Sequence, residues 1–301
     1  MNVEKISEKI YLIDTLGLGL SKTIASYLVK DEKIALIDVG YASSIENLIM
    51  GVKSIGVDPS EVKYIILTHI HLDHGGASGK LLRLIEKAMV KAHPRAIKHL
   101  IDPSKLIRSV HEVYGSEAEK FGEVLPISMD RVEGVDDGEE LNLGSTTLRF
   151  IHTSGHAPHH ISIYLDEVNA LFSGDALSMR LPWFPHDLPQ TPPPSYLHEK
   201  ALDDLRRLEK LDPDLVLRPH YGAMKTYPSF FDDQASLLEL WKRIVAESLE
   251  KSRERSLENA LKRFSEIIGM DSVKLPSYVK QHLTISFDGM VSYLRRSRSL
   301  G

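Results

Sequence analysis

Cysteine is absent from all 301 residues. No disulfide and no thiolate metal site can therefore form, and any metal must be held by His, Asp or Glu. Long apolar runs are missing too; none approaches the length of a membrane span. The first residues, "MNVEKISEKIYLID", lack an apolar core of signal-peptide length. These absences point to a soluble, cytoplasmic protein with no membrane partner. There is also no basic excess, because the formal net charge is -5. Without one, broad neutralisation of nucleic-acid phosphates is not expected. The missing Cys, together with 26% charged residues, hints at a thermophilic source.

What is present is histidine, 14 in all, and three of them fall within six residues. The stretch "THIHLDHGG", Thr68–Gly76, follows the short apolar run "VKYIIL". Such a run reads as a strand buried on both faces, and the loop after it lies where α/β proteins place ligands. His69 and His71 are two apart and point the same way in extended chain. Asp73 and His74 begin the next turn. Imidazoles and a carboxylate without thiols suit Zn²⁺ first, then Fe²⁺ or Mn²⁺. A polar loop of helix-capping histidines is the bland alternative, but four such groups converging without a metal would be costly.

Three further residues end apolar strands in the same manner: His156 in "HTSGHAPHH", Asp175 in "FSGDAL" and His220 in "LRPHYG". The remaining pattern is mixed α/β. Strands are expected in "KIYLIDTL", in a hairpin "TIASYLVKDEKIALIDVG" turning at Asp31-Glu32, in "AMVKAH", within "RVEGVDDGEELNLGSTTLRFIHTSGH" and "HISIYLDEVNALFSGDAL", and in "DLVLRPHYG". Helices are expected in "SSIENLIMGVKSIG", after Gly79, within 94–128 and at 196–210. "EKIALIDVG" and "VNALFSGDA" both end a strand in Asp and a small residue, which suggests two related halves or merely a common strand ending. A boundary near Thr226 divides a domain 1–226 from a helical region 227–301. The helices of that region serve as core packing, a lid or a homodimer face.

The order His-x-His-x-Asp-His, Gly-His, Gly-Asp and a late His resembles the metallo-β-lactamase-fold hydrolases over residues 8–226. The resemblance implies an αββα sandwich with a C-terminal helical extension and two divalent ions on one edge. It implies that His69, His71 and His156 hold one ion and Asp73, His74 and His220 the other, with Asp175 between them. Asp38, in "LIDVG", matches a position that supports the site from behind, and His160 matches a structural hydrogen-bonder. His159 stands where Gly is common in the family, which leaves its role open.

Two such ions acidify a shared water, and the resulting hydroxide attacks carbonyl or phosphorus without any Ser or Cys nucleophile. Asp73 and Tyr221 are the candidate catalytic side chains, with packing the alternative for Tyr221. The loop 177–196 carries Trp183, Phe184 and six prolines. It reads as a stiff, partly apolar substrate wall or as a surface connector. As a wall it favours small esters with hydrophobic groups: phosphodiesters, phosphotriesters or lactones. A glyoxalase II-type thioester hydrolase is the runner-up, and a scaffold protein on the same fold is the non-enzyme alternative. Antibiotic hydrolysis is not expected, because true β-lactamases differ at Asp73-His74.

Overall fold

The structure, a computed structural model, describes residues 2–299. Contacts divide the chain into two compact units. The first takes in the chain up to His152, His159–Asp175 and Pro213–Thr226. It holds two sheets. The first sheet runs in chain order: β1 (Val3–Lys5), β2 (Ile10–Asp14), β3 (Ala25–Val29), β4 (Ile34–Ile37), β5 (Val62–Ile66), β6 (Met89–Ala92) and β7 (Val132–Gly134). Its first four strands are antiparallel and its last four parallel, with β4 shared. The second sheet comprises β8 (Glu140–Asn142), β9 (Thr147–His152), β10 (Ile161–Leu165), β11 (Ala170–Phe172), β12 (Leu215–Arg218) and β13 (Gly222–Lys225), and its spatial order is the reverse of the chain order. Within it only β11 and β12 are parallel.

One apolar layer lies between the sheets, including Leu12, Tyr27, Phe150, Ile163 and Phe172. Each fully buried side chain of this kind stabilises the fold by roughly 1.5–3 kcal/mol. A second layer covers the other face of the first sheet. There Leu48 and Val52 of helix α1 (Ile45–Ser54) pack with Leu81 of α3 (Ser78–Leu84) and Leu100 of α4 (Ile97–Ile101). Between α1 and α3 lies the single turn α2 (Leu72–Gly75), and α5 (Ser104–Tyr114) follows α4. The Asp31 turn of the β3–β4 hairpin is tied to the β8–β9 turn: its carboxylate accepts from Thr146 and, at 2.9 Å, from Lys9 Nζ. Strand β13 is an element that the sequence pattern does not announce.

The two Asp-ending strands occupy matching places. β4 pairs antiparallel with β3 and parallel with β5; β11 pairs antiparallel with β10 and parallel with β12. Their shared ending is thus a shared position in each sheet.

The second unit joins Thr153–Pro158, Ala176–Asp212 and the chain from Tyr227 onward. It carries α6 (His198–Glu209), α7 (Phe230–Ser248), α8 (Arg253–Ile267) and α9 (Ser277–Ser299). Trp241 of α7 is fully buried and meets Phe264 of α8 edge-to-face at 5.7 Å. The sequence places one boundary at Thr226, whereas the contacts also bring 153–158 and 176–212 into this unit. The reason is local. Ser178 N donates to Gln234 Oε1 at 2.8 Å, and Thr191 Oγ1 donates to the Ser286 carbonyl at 2.8 Å. A Cβ on Gly289 of α9 would lie 1.9 Å from the Thr191 oxygen, so only glycine admits that approach. No helix among the described residues is long and apolar enough to cross a membrane.

Candidate metal centre

Each donor of the first unit sits just past a strand end. β4 delivers Asp38, β5 delivers His69 to His74, β11 delivers Asp175 and β12 delivers His220. His71 precedes α2 as its N-cap, and Asp73 and His74 lie in that turn. His69 and His74 are fully buried, Asp175 and His220 nearly so, while the Asp73 side chain keeps 26% exposure.

Two donor groups result. His69, His71 and Asp175 offer ligand atoms within 4.8 Å of one another, and so do Asp73, His74 and His220. Asp175 reaches both: its Oδ2 is 3.8 Å from His69 Nε2 and 3.5 Å from His74 Nε2, and its Oδ1 is 3.7 Å from His220 Nε2. His156 falls in the segment Thr153–Pro158 of the second unit, buried, with Nδ1 3.3 Å from the Gln190 carbonyl.

The outer nitrogens decide what the inner ones can do. His74 Nδ1 donates to Asp38 Oδ2 at 2.8 Å, and His220 Nδ1 donates to the Thr23 carbonyl at 2.9 Å. In the neutral rings the Nε2 atoms would then face inward without a proton, 3.2 Å apart. Two lone pairs cannot face each other at that distance without a cation or a proton between them. Burial opposes charge on these rings, yet Asp175 and Asp73 outweigh it. They hold the pKa of His74 well above its ordinary value and raise that of His220. The pocket is thus built to hold positive charge, and the all-N/O donor set fits a divalent metal. His71, by contrast, has its pKa lowered, by burial first.

Asp38 serves both groups. Besides His74 it accepts the Thr68 amide at 2.8 Å and the Thr68 hydroxyl at 2.8 and 3.0 Å. Thr68 Oγ1 in turn lies 3.1 Å from His69 Nδ1. One carboxylate therefore orients His74 directly and His69 through a hydroxyl. Asp38 has φ +54°, a left-handed conformation that Asp tolerates better than bulkier residues. His160 is fully buried and accepts the Asp175 amide on Nε2 at 2.8 Å. A Cβ on Gly174 would come within 2.4 Å of that nitrogen. His159 lies beside the first group, its ring 6.3 Å from that of His69 and 5.9 Å from that of His71.

A family model, the metallo-beta-lactamase superfamily, matches residues 22–220. The chain belongs to the metallo-beta-lactamase superfamily. The metallo-beta-lactamase fold-containing protein ST1585 of Sulfurisphaera tokodaii is 30% identical over 208 residues, 66% of this chain and 72% of that protein. The crystal structure of ST1585, an archaeal metallo-beta-lactamase superfamily protein from Sulfolobus tokodaii, superposes with a TM-score of 0.70 at 24% identity, covering 96% of this chain and 99% of that one. The superfamily protein TTHA1429 from Thermus thermophilus gives 0.67 at 21%, covering 91% and 89%. The fold of this superfamily member is thus the αββα sandwich with C-terminal helices, and its His/Asp cluster is of the kind that binds divalent metals.

Other expected residues lie as follows. Tyr221 is partly buried and packs against the layer between the sheets. Burial, then Asp14 and Glu4, push its hydroxyl pKa up. Phe184 is 2% exposed, whereas Trp183 is 44% exposed and meets Tyr278 edge-to-face at 6.2 Å. Thr23 and Thr68 support the donors without being marked by the sequence pattern. Thr23 acts through its carbonyl, which leaves no side-chain signal, and Thr68 could have been noticed as the residue leading the motif. Tyr114 ends α5, and its hydroxyl pKa is raised by burial and then by Asp73 and Asp175.

Proposed function

We propose that this superfamily member is a dinuclear-metal hydrolase of small-molecule esters, with phosphodiesters, phosphotriesters or lactones as substrates and zinc as the first-choice metal. The observation that carries this is Asp175, whose two oxygens reach histidines of both donor groups. When bound, a pair of divalent ions acidifies water and polarises the ester oxygen. The chain's own residues do the rest. Asp38 and the Thr23 carbonyl fix the tautomers of His74 and His220, so both Nε2 atoms stay available as ligands. Asp73, the more exposed of the two carboxylates, is the candidate catalytic side chain in this reading. His156 completes the first group in this reading, by its place in the family pattern. In this reading the loop 177–196, whose Trp183 is exposed, contributes to substrate selection.

The test is a panel of aryl phosphodiesters, phosphotriesters, lactones, glutathione thioesters and β-lactams with zinc-, iron- and manganese-loaded protein. Turnover of phosphoesters or lactones is the expected result. Turnover of glutathione thioesters alone would move the assignment to a thioester hydrolase, and silence with full metal content would sink the ester reading.

A further inference from the structure

A cavity of about 320 Å³ opens in the first unit beside the ligand loop. Leu72, Ile107, Val110, Ala118 and Val124 line it. Leu72 is bonded to His71 and Asp73, so the wall of the cavity and two metal donors belong to one tripeptide. Across from it, Ile107, Val110 and Tyr114 recur at i, i+3 and i+7 along α5 and form one stripe. Val110 and Tyr114 pack with the buried group of Leu72 and Phe121. The Tyr114 ring meets Phe121 edge-to-face at 4.9 Å. The cavity therefore lies against the segment that carries His71 and Asp73.

We propose that this cavity binds an uncharged alkyl or aryl group, the apolar part of the ester whose reacting centre sits at the metal donors. This rests on the hydrolase reading above. The lining decides the chemistry. Its floor is aliphatic, and the polar side chains at its rim are His111, Glu119 and Glu123. Two carboxylates at the mouth repel an anionic tail, which disfavours a glutathione conjugate and favours a neutral chain. At about 30 Å³ for each water-sized group, the cavity holds an alkyl chain of roughly six to ten carbons, or a phenyl ring with a short linker. A substrate seated this way gains binding from the removal of its chain from water, at about 0.8 kcal/mol per buried methylene.

The experiment titrates 1-butanol, 1-hexanol and 1-octanol into the full-length protein and follows methyl NMR signals. Saturable shifts confined to Leu72, Ile107, Val110 and Val124, growing with chain length, are expected. Val110→Phe, which fills the cavity, should weaken octanol binding at least tenfold. Aryl phosphodiesters and lactones carrying alkyl chains of rising length give the second readout. kcat/KM should climb with chain length in the unaltered protein; the climb should flatten in Val110→Phe and extend to longer chains in Ile107→Ala. If Val110→Phe does not fold, the alcohol titration and Ile107→Ala still decide. Absent or scattered methyl shifts, or a chain-length profile unmoved by either variant, would overturn the proposal while leaving the hydrolase reading intact. Alcohol binding at these methyls with no hydrolysis of any ester would do the reverse.

Discussion

Asp38 holds His74 by a 2.8 Å hydrogen bond from imidazole Nδ1 to carboxylate Oδ2, across 36 residues of sequence. The same carboxylate takes the hydroxyl of Thr68, which touches His69. One carboxylate thus bears on the proton position of two histidines, one from each donor group.

Asp38→Asn is therefore expected to do more than remove a charge. An amide nitrogen facing His74 Nδ1 would donate to it and drive the ring proton to Nε2, the atom needed for metal. Loss of such an outer partner typically weakens metal binding by about 10–100-fold. A competition titration against a chelator of known affinity measures this. Affinity within twofold of the unaltered protein would remove Asp38 from the support of the site.

Asp175→Ala should remove the carboxylate whose oxygens reach both donor groups. Elemental analysis of the unaltered protein is expected to give close to two equivalents of metal, and the variant clearly fewer, with ester turnover down at least a hundredfold. One clean equivalent in the unaltered protein would rule out the dinuclear arrangement.

His93 supplies a pH prediction away from the metal donors. Its ring lies 4.1 Å from that of His152, and its Nδ1 accepts the Arg95 amide at 3.0 Å. Burial first, then His152 and Arg95, lower its pKa to about 4. A depressed histidine stays neutral in the fold and takes a proton on unfolding. Its contribution is present above about 6.5, the ordinary value, and is lost as pH falls towards 4. The thermal midpoint should therefore fall across that window, and less steeply in His93→Asn, which keeps an acceptor for Arg95. An NMR titration placing the His93 midpoint near 6.5 would contradict this.

Trp183 and Phe184 are neighbours with opposite expected effects. Exposed Trp183 is the one able to meet a ligand, so Trp183→Ala should raise KM for aryl substrates severalfold and leave metal content unchanged. Phe184 is 2% exposed, so Phe184→Ala should instead cost ~3 kcal/mol of stability, as deletion of a buried ring does. Denaturant unfolding and steady-state kinetics on both variants separate the two roles. Unaltered kinetics in Trp183→Ala would make the loop a connector.

The sequence by itself determined which His and Asp residues stand at strand ends, because that signal is local. His69 to His74 are six consecutive residues after an apolar strand, and Asp175 and His220 each follow another. It likewise determined the mixed α/β pattern and the helical C-terminal region, since period-2 and period-3.6 apolar spacing record burial directly. Only the tertiary structure decided what lies behind those donors. His220 is set by a carbonyl 197 residues away, at Thr23, and it meets His74 across 146 residues. A backbone carbonyl has no residue type to read, and such pairings exist only once the two sheets are stacked. The same holds for the tyrosines. Tyr221 adjoins His220 in sequence but packs in the layer between the sheets, whereas Tyr114 has no motif around it and packs with Leu72 and Phe121. Side-chain direction follows from packing around the whole element, which spacing along the chain does not encode.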